Sequence, residues 1–153
     1  MRVMLDTNIL VSAFVFRSEK IYAVIDYIVS EHEMVLSTYV LDELRDVIAR
    51  KFPEKIGDLD EFLTVLSFTL AYSPQAVPQG LFEIRDMCDA PVLYTAIFEG
   101  IDVLITGDKD FDEVDVERPE ILTIAQFSEN YMNSANGLVM SKNKIEGSHH
   151  SLY

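Results

Sequence analysis

Four acidic side chains lie beside apolar segments or at the start of a predicted helix, namely Asp6, Glu43, Asp89 and Asp108. Asp6 and Asp108 follow apolar runs, Asp89 precedes a helix start, and Glu43 lies at the margin of an apolar helical face. Like charges that are held close together oppose ionisation, and a divalent cation removes that penalty. Because hard oxygen donors suit Mg²⁺ or Mn²⁺, we predict that these four residues are ligands of such an ion.

Each of these acids also has an ordinary structural interpretation. Asp6 and Asp89 suit helix N-caps, Asp108 suits a Gly-Asp turn, and Glu43 suits the surface of a helix. Asp86 is a candidate supporting acid, and Asp110 is a less favoured ligand than Asp108. The residues alone leave both interpretations open, and it is their joint pattern that favours a metal site.

Short apolar runs alternate with amphipathic segments along the chain. The runs predict strands at 3–5, 34–36, 102–106 and 120–124, with helices at 8–16, 19–31, 38–52, 58–70, 89–99 and 125–132. Alternation of this kind predicts a three-layer α/β/α fold with a central parallel sheet, whose functional site lies at the carboxyl ends of the strands. We expect one domain over residues 1–133 and a flexible C-terminal tail over 134–153.

Composition limits the class of protein. The chain has 153 residues, of which 49% are hydrophobic, but no apolar run approaches the length of a membrane span. We therefore expect a cytoplasmic protein without membrane contact. Cys88 is the single cysteine, which excludes an internal disulfide and a multi-cysteine zinc site. The net charge of −14 repels nucleic acid unless cations or a local basic patch intervene.

Four segments together resemble the PIN-domain family, in particular its branch of bacterial and archaeal toxin–antitoxin toxins. They are MLDTNIL with Asp6, LSTYVLDELRDVI with Glu43, IRDMCDAPVLYTAIFEG with Asp89, and DVLITGDKDF with Asp108. The resemblance covers about residues 1–130. Cys88 departs from the family pattern, because another acid is frequent at that position, and this departure bears on a second metal site rather than on the first.

The resemblance implies a ribonuclease that uses Mg²⁺ or Mn²⁺ to hydrolyse RNA phosphodiester bonds and leaves a 5′-phosphate and a 3′-hydroxyl. It implies that the four acids are the catalytic residues that hold the ion, namely Asp6, Glu43, Asp89 and Asp108. It also implies that Thr7, Asn8 and Thr106 position Asp6 or a catalytic water. A small antitoxin protein would be the partner, and a homodimer through the helices at 19–31 and 58–70 is a further possibility. Core packing is the commoner use of such faces.

A basic cluster follows Glu43 and includes Arg45, Arg50 and Lys51. We predict that these three side chains contact phosphates of the RNA substrate. The alternative is a solvated helix end, where cations balance the negative pole of the helix.

Two further functional classes fit the sequence less well. A phosphatase with an aspartate nucleophile needs a second Asp two residues later, where this chain has Asn8, and a receiver domain needs paired acids that are missing before Asp6. A catalytically silent PIN-like module that binds RNA or protein is the main alternative. Metal-dependent cleavage of single-stranded RNA distinguishes it from a nuclease.

Overall fold

Five short strands form one parallel sheet at the centre of the molecule. The computed structural model describes residues 1–75, 80, 82 and 90–133. The strands are β1 (Arg2–Leu5), β2 (Glu33–Ser37), β3 (Thr69–Ala71), β4 (Val103–Ile105) and β5 (Glu120–Leu122). They pair in the order β3-β2-β1-β4-β5, and every pairing is parallel. The predicted central parallel sheet is confirmed.

Helices connect and cover these strands. They are α1 (Thr7–Phe16), α2 (Glu19–Glu31), α3 (Thr38–Lys51), α4 (Ile56–Val65), α5 (Ala90–Phe98) and α6 (Ile124–Phe127). A π-helical turn, Ser128–Met132, continues α6, and short 3₁₀ turns occupy Pro53–Lys55 and Lys109–Phe111. Side-chain oxygens cap several helices, as Ser37 does for α3 by accepting from the Val40 N–H.

The core lies on both faces of the sheet. Leu5, Leu36 and Leu104 in the three central strands are fully buried, as expected for strands covered by helices on each side. The helices contribute buried side chains such as Leu44 and Phe127. These contacts confirm the α/β/α architecture that the continuous apolar runs predicted.

The order of the strands places a switch point beside β1. From β1 the chain moves to β2 and β3 on one side, whereas β4 and β5 lie on the other side. The connections therefore diverge between β1 and β4, and a crevice opens beyond their carboxyl ends. Asp6 directly follows β1, and Thr106 directly follows β4. Both residues therefore stand at this crevice.

One predicted element is wrong in its second half. The predicted helix 58–70 ends at Val65, and Leu66 has an extended backbone with ψ 129°. Leu70 lies instead in β3, paired in register with Leu36. Leu66 and Leu70 have helical spacing, but the tertiary pairing with β2 determines the conformation here, as it often does for short apolar segments.

The remaining differences are small. The predicted helix 125–132 begins one residue earlier, because Thr123 and Gln126 form a capping box, and its second part is π-helical. No helix among the described residues is long and apolar enough to cross a membrane. The predicted tail, 134–153, lies outside the described residues.

Candidate metal centre

Asp6 is the most deeply buried acid at the crevice, with 4% of its surface exposed. Its Oδ1 accepts a hydrogen bond from the Thr7 N–H at 2.8 Å, and its Oδ2 accepts one from the Thr106 hydroxyl at 2.7 Å. Its backbone N–H donates to the Ile105 carbonyl at 3.0 Å, which fixes the end of β1 to β4. Each carboxylate oxygen retains a second lone pair, so the group can still bind a cation.

The pKa of Asp6 is raised above the ordinary value of 3.8. Desolvation by burial is the largest cause, and the charges of Glu43 and Asp108 raise the pKa further. The hydrogen bonds from Thr106 and Thr7 act in the opposite direction. Two acids that are distant in sequence therefore lie close enough to oppose the ionisation of Asp6.

Thr106 links the ends of the two neighbouring strands. It is buried, its hydroxyl donates to Asp6, and the same oxygen accepts a hydrogen bond from the Asp108 N–H at 3.0 Å. The Oδ1 atom of Asp108 in turn accepts from the Asp110 N–H at 2.8 Å, and this bond caps the 3₁₀ turn that follows. The predicted turn role of Asp108 is thus real, and the carboxylate keeps free acceptor capacity beside Asp6.

Thr7 and Asn8 complete the loop after β1. The Thr7 Oγ1 atom is buried and has no hydrogen-bond partner among the described residues, which is unusual for a buried hydroxyl. The Asn8 side chain is accessible, and its Oδ1 accepts from the Gly107 N–H at 3.3 Å. The two strand-end loops are therefore joined twice, once through Thr106 and once through Asn8.

Glu43 occupies the helical position that its sequence pattern predicted. Leu44 and Val40 are buried in α3, Glu43 is partly buried, and Asp42 and Asp46 are exposed. Its effect on the pKa of Asp6 places it on the crevice side of α3. Of the three acids on this helix, Glu43 is therefore the one suited to a site shared with Asp6.

Not every predicted site residue is joined to this group. Asp86 and Asp89 lie outside the described residues, so the four-acid arrangement stays a prediction. Within the described part of the chain, no three His, Cys, Asp or Glu side chains lie close enough together to form a metal-binding group. Asp6, Glu43 and Asp108 supply the predicted donor type, and the contribution of Asp89 stays a prediction.

The predicted phosphate-binding cations lie farther from the acids. Arg45 forms an ion pair with Asp60 on α4, at 2.8 Å, and half of its side chain is exposed. Arg50 and Lys51 are exposed in the last turn of α3. At 1.5 Å per residue, they lie about 10 Å farther along the helix than Glu43. This location also fits cations that balance the helix dipole.

A cluster of hydroxyl groups near the same edge of the sheet had no part in the predicted site. The Ser73 N–H donates to Thr38 Oγ1 at 2.9 Å, and Thr95 Oγ1 lies 3.1 Å from Ser73 Oγ. Thr95 is fully buried on α5, and Thr38 opens α3. The cluster ties the helix that carries Glu43 to the helix that follows Asp89. Thr38 directly follows β2, and Ser73 lies two residues after β3. Hydroxyl residues at the ends of strands were the sequence signal that could have identified this cluster.

The donor chemistry fits a hard divalent cation. The neighbouring carboxylates oppose each other's charge, and the unpartnered Thr7 hydroxyl can bind a water or a ligand of such an ion. The two described loops that carry Asp6 and Asp108 are already fixed to each other by hydrogen bonds. Little reorganisation of these loops would accompany binding.

Comparison with known proteins supports this architecture. The family model described as PIN domain matches residues 2–110. A structure of VapBC2 from Rickettsia felis, bound to a DNA fragment from its promoter, superposes with a TM-score of 0.60 at 20% identity, covering 80% of this chain and 97% of that one. The Mycobacterium tuberculosis toxin VapC20, which cleaves the sarcin–ricin loop, gives 0.51 at 14% identity, covering 72% and 92%. No curated protein matches.

Proposed function

We propose that this chain, which belongs to the PIN domain family, is a divalent-metal-dependent endoribonuclease that hydrolyses RNA phosphodiester bonds. The observation that carries the proposal is the buried carboxylate of Asp6 at the switch point of the sheet. It is hydrogen-bonded to Thr106 and raised in pKa by the charges of Glu43 and Asp108. A bound cation would favour the ionised form of a carboxylate that burial and neighbouring acids otherwise disfavour.

Asp6, Glu43, Asp89 and Asp108 would hold Mg²⁺ or Mn²⁺, as their oxygen donors suit these ions. When bound, the ion would supply Lewis acidity that activates water and polarises the scissile phosphate. Asp110 and Asp86 would support the ligands from neighbouring positions. The ion would also neutralise a crevice that otherwise repels a polyanion, in a chain of net charge −14.

The described residues would mainly orient the site. Thr106 holds one oxygen of Asp6 and the backbone of Asp108, so the two carboxylates keep a fixed relation. The unpartnered hydroxyl of Thr7 and the accessible amide of Asn8 would position the attacking water or the substrate. Asp6 would not act as a covalent nucleophile, because no second acid stands two residues later to serve as the proton donor.

We further propose that the chain is the toxin of a toxin–antitoxin pair and acts in the cytoplasm. One of the structural neighbours named above, VapC20, is a toxin that cleaves the sarcin–ricin loop, and the other is VapBC2 bound to promoter DNA. A small antitoxin would cover the crevice. The proposed contacts for RNA phosphates are Arg45, Arg50 and Lys51. The predicted homodimer can be tested by analytical ultracentrifugation.

Cleavage of a labelled single-stranded RNA tests the nuclease proposal. The protein is expected to cut with Mg²⁺ or Mn²⁺ and to lose activity in EDTA and in the Glu43→Gln and Asp6→Asn variants. Asp42→Asn is the matched control, because it removes one exposed charge from the same helix beside Glu43. Cleavage that persists in EDTA and in Asp6→Asn would exclude the proposed site.

Two outcomes separate the related proposals. Metal-dependent binding of RNA without cleavage would favour the silent module over the nuclease. For the toxin proposal, induced expression is expected to arrest growth, and co-expression of a small neighbouring reading frame is expected to restore it. Unaffected growth, together with the absence of such a reading frame, would exclude a toxin while leaving nuclease activity intact.

A further inference from the structure

A groove of about 670 Å³ lies between β5 and the segment 107–119, which crosses over from β4. Apolar side chains line much of it, including Val116 and Ile121, and described residues form the whole of this lining. Its lining includes Thr106 and Asp108 as well as all three residues of the edge strand β5. The groove therefore shares Thr106 and Asp108 with the candidate metal centre, and the rest of its lining lies outside that centre.

The strand along this groove has an unpaired backbone edge. The Glu120 N–H donates to the Asp102 carbonyl, and the Leu122 carbonyl accepts from the Thr106 N–H. Glu120 and Leu122 therefore direct their peptide groups towards β4, and Ile121 between them directs its N–H and C=O outwards. No strand in the described part of the chain pairs with this outer edge. An edge of this kind can pair with an additional strand.

The charge of the lining selects the kind of strand that would fit. Four carboxylates line the groove, and Lys109 is its single cation; the acids are Asp108, Asp112, Glu117 and Glu120. Asp112 and Glu117 are exposed, and no described side chain forms an ion pair with either. A phosphate backbone would be repelled here, whereas lysine or arginine side chains would be attracted.

We propose that this groove binds an extended peptide segment of a protein partner as an additional strand beside β5. Because side chains alternate along a strand, one set would enter the apolar groove and the other set would meet the carboxylates. The segment would therefore alternate apolar residues with lysine or arginine. This binding site does not depend on the proposed nuclease activity.

A short fluorescein-labelled peptide of alternating Val and Lys is the probe, and fluorescence anisotropy measures its affinity for the full chain. Neutralising two carboxylates in Asp112→Asn/Glu117→Gln is expected to weaken binding about fivefold to tenfold. The matched control is Asp58→Asn/Glu61→Gln, which makes the same change in net charge on exposed positions of α4. Equal affinities of the two double variants would overturn the proposal.

Hydrogen exchange tests the added strand itself. The Ile121 N–H is expected to become protected when the peptide binds, whereas the Glu120 N–H, which is already bonded to Asp102, should change little. A Val and Lys peptide that is N-methylated at alternate positions should bind at least about tenfold more weakly, because it lacks the donors for strand pairing. An unprotected Ile121 N–H, or protection by single-stranded RNA in place of the peptide, would refute peptide binding at this edge.

Discussion

At the scale of single residues, the position of Asp6 combines two opposing demands. Burial and neighbouring acids disfavour its charge, while hydrogen bonds from Thr7 and Thr106 favour it. An aspartate with a purely structural role would be expected to accept hydrogen bonds without being buried beside other acids. The combination is typical of carboxylates whose charge serves a ligand rather than the stability of the fold.

This opposition predicts a pH-dependent cost in the metal-free protein. Well below pH 3.8 Asp6 is protonated in both the folded and the unfolded chain, so it costs no stability there. The cost accumulates as the pH rises from 3.8 to the raised folded pKa, because the unfolded chain ionises first, and it is complete above the folded pKa. In EDTA, Asp6→Asn is therefore expected to be more stable than the wild type near neutral pH, by about 2–4 °C in Tm. The difference should shrink towards pH 4. Thermal melts across this range measure it, and a difference that is constant with pH would contradict the raised pKa.

Thr106 provides a second prediction at this scale. Thr106→Val keeps the shape of the side chain but removes both the donor to Asp6 and the acceptor for the Asp108 N–H. We expect RNA cleavage to fall about 10- to 100-fold, because residues that orient metal ligands have effects of this size. Thr106→Ser restores the hydroxyl and should recover most of the activity. Single-turnover cleavage rates compare the three proteins, and a fully active Val variant would exclude the orienting role.

At the scale of elements, β1 and β4 were predictable and β3 was not. Apolar residues follow one another without interruption in β1 and β4, which include Val3 and Leu104. A strand with one exposed face would alternate apolar and polar residues, so the uninterrupted runs identify strands that are buried on both faces. In β3, Leu70 is 39% exposed, and its strand conformation comes from pairing with β2, which no local pattern encodes. Sequence reasoning therefore fails at this edge strand, whereas the opposite edge strand, β5, was predicted from its own apolar run at 120–124.

The same contrast applies to the site. Asp6 and Glu43 could be chosen from their positions relative to apolar neighbours, and the structure places both at the crevice. The location of Arg50 and Lys51 depends on the direction of α3, which carries them away from Glu43. The Ser73 cluster joins three segments that are distant in sequence, so spacing alone could not reveal it.

That cluster supports a prediction about the helices. Ser73→Ala removes the hydroxyl that lies 3.1 Å from Thr95 Oγ1 and accepts from the Tyr39 N–H at 3.3 Å. We expect the free energy of unfolding to fall by about 1 kcal/mol. We also expect a lower kcat in the protein that remains folded, because α3 carries the proposed ligand Glu43 and α5 follows the proposed ligand Asp89. Ser30→Ala is the control, since its hydroxyl bond is exposed on α2 and should contribute little. Urea melts and cleavage assays separate the two effects, and a wild-type kcat would limit the cluster to stability.

At the scale of the whole molecule, the strongly negative charge makes cation binding a stabilising event. A ligand that binds the folded state at 100 times its Kd adds about 2.7 kcal/mol of stability. Saturating Mn²⁺ is therefore expected to raise the Tm by about 5–10 °C, given the entropy of unfolding of a chain of this length. Asp6→Asn should abolish most of the increase. An unchanged Tm of the wild-type protein would argue against the metal centre.

The central place of β1 also has a consequence for how the molecule is made. Its partner on the crevice side, β4, lies about a hundred residues later, with Val3 paired to Val103. At the usual pace of ribosomal synthesis, about 5–20 residues per second, β1 waits about 5–20 s for that partner. A growing chain therefore carries Asp6 without Thr106 or Asp108, and the proposed metal centre cannot assemble before β4 has been synthesised and has paired with β1.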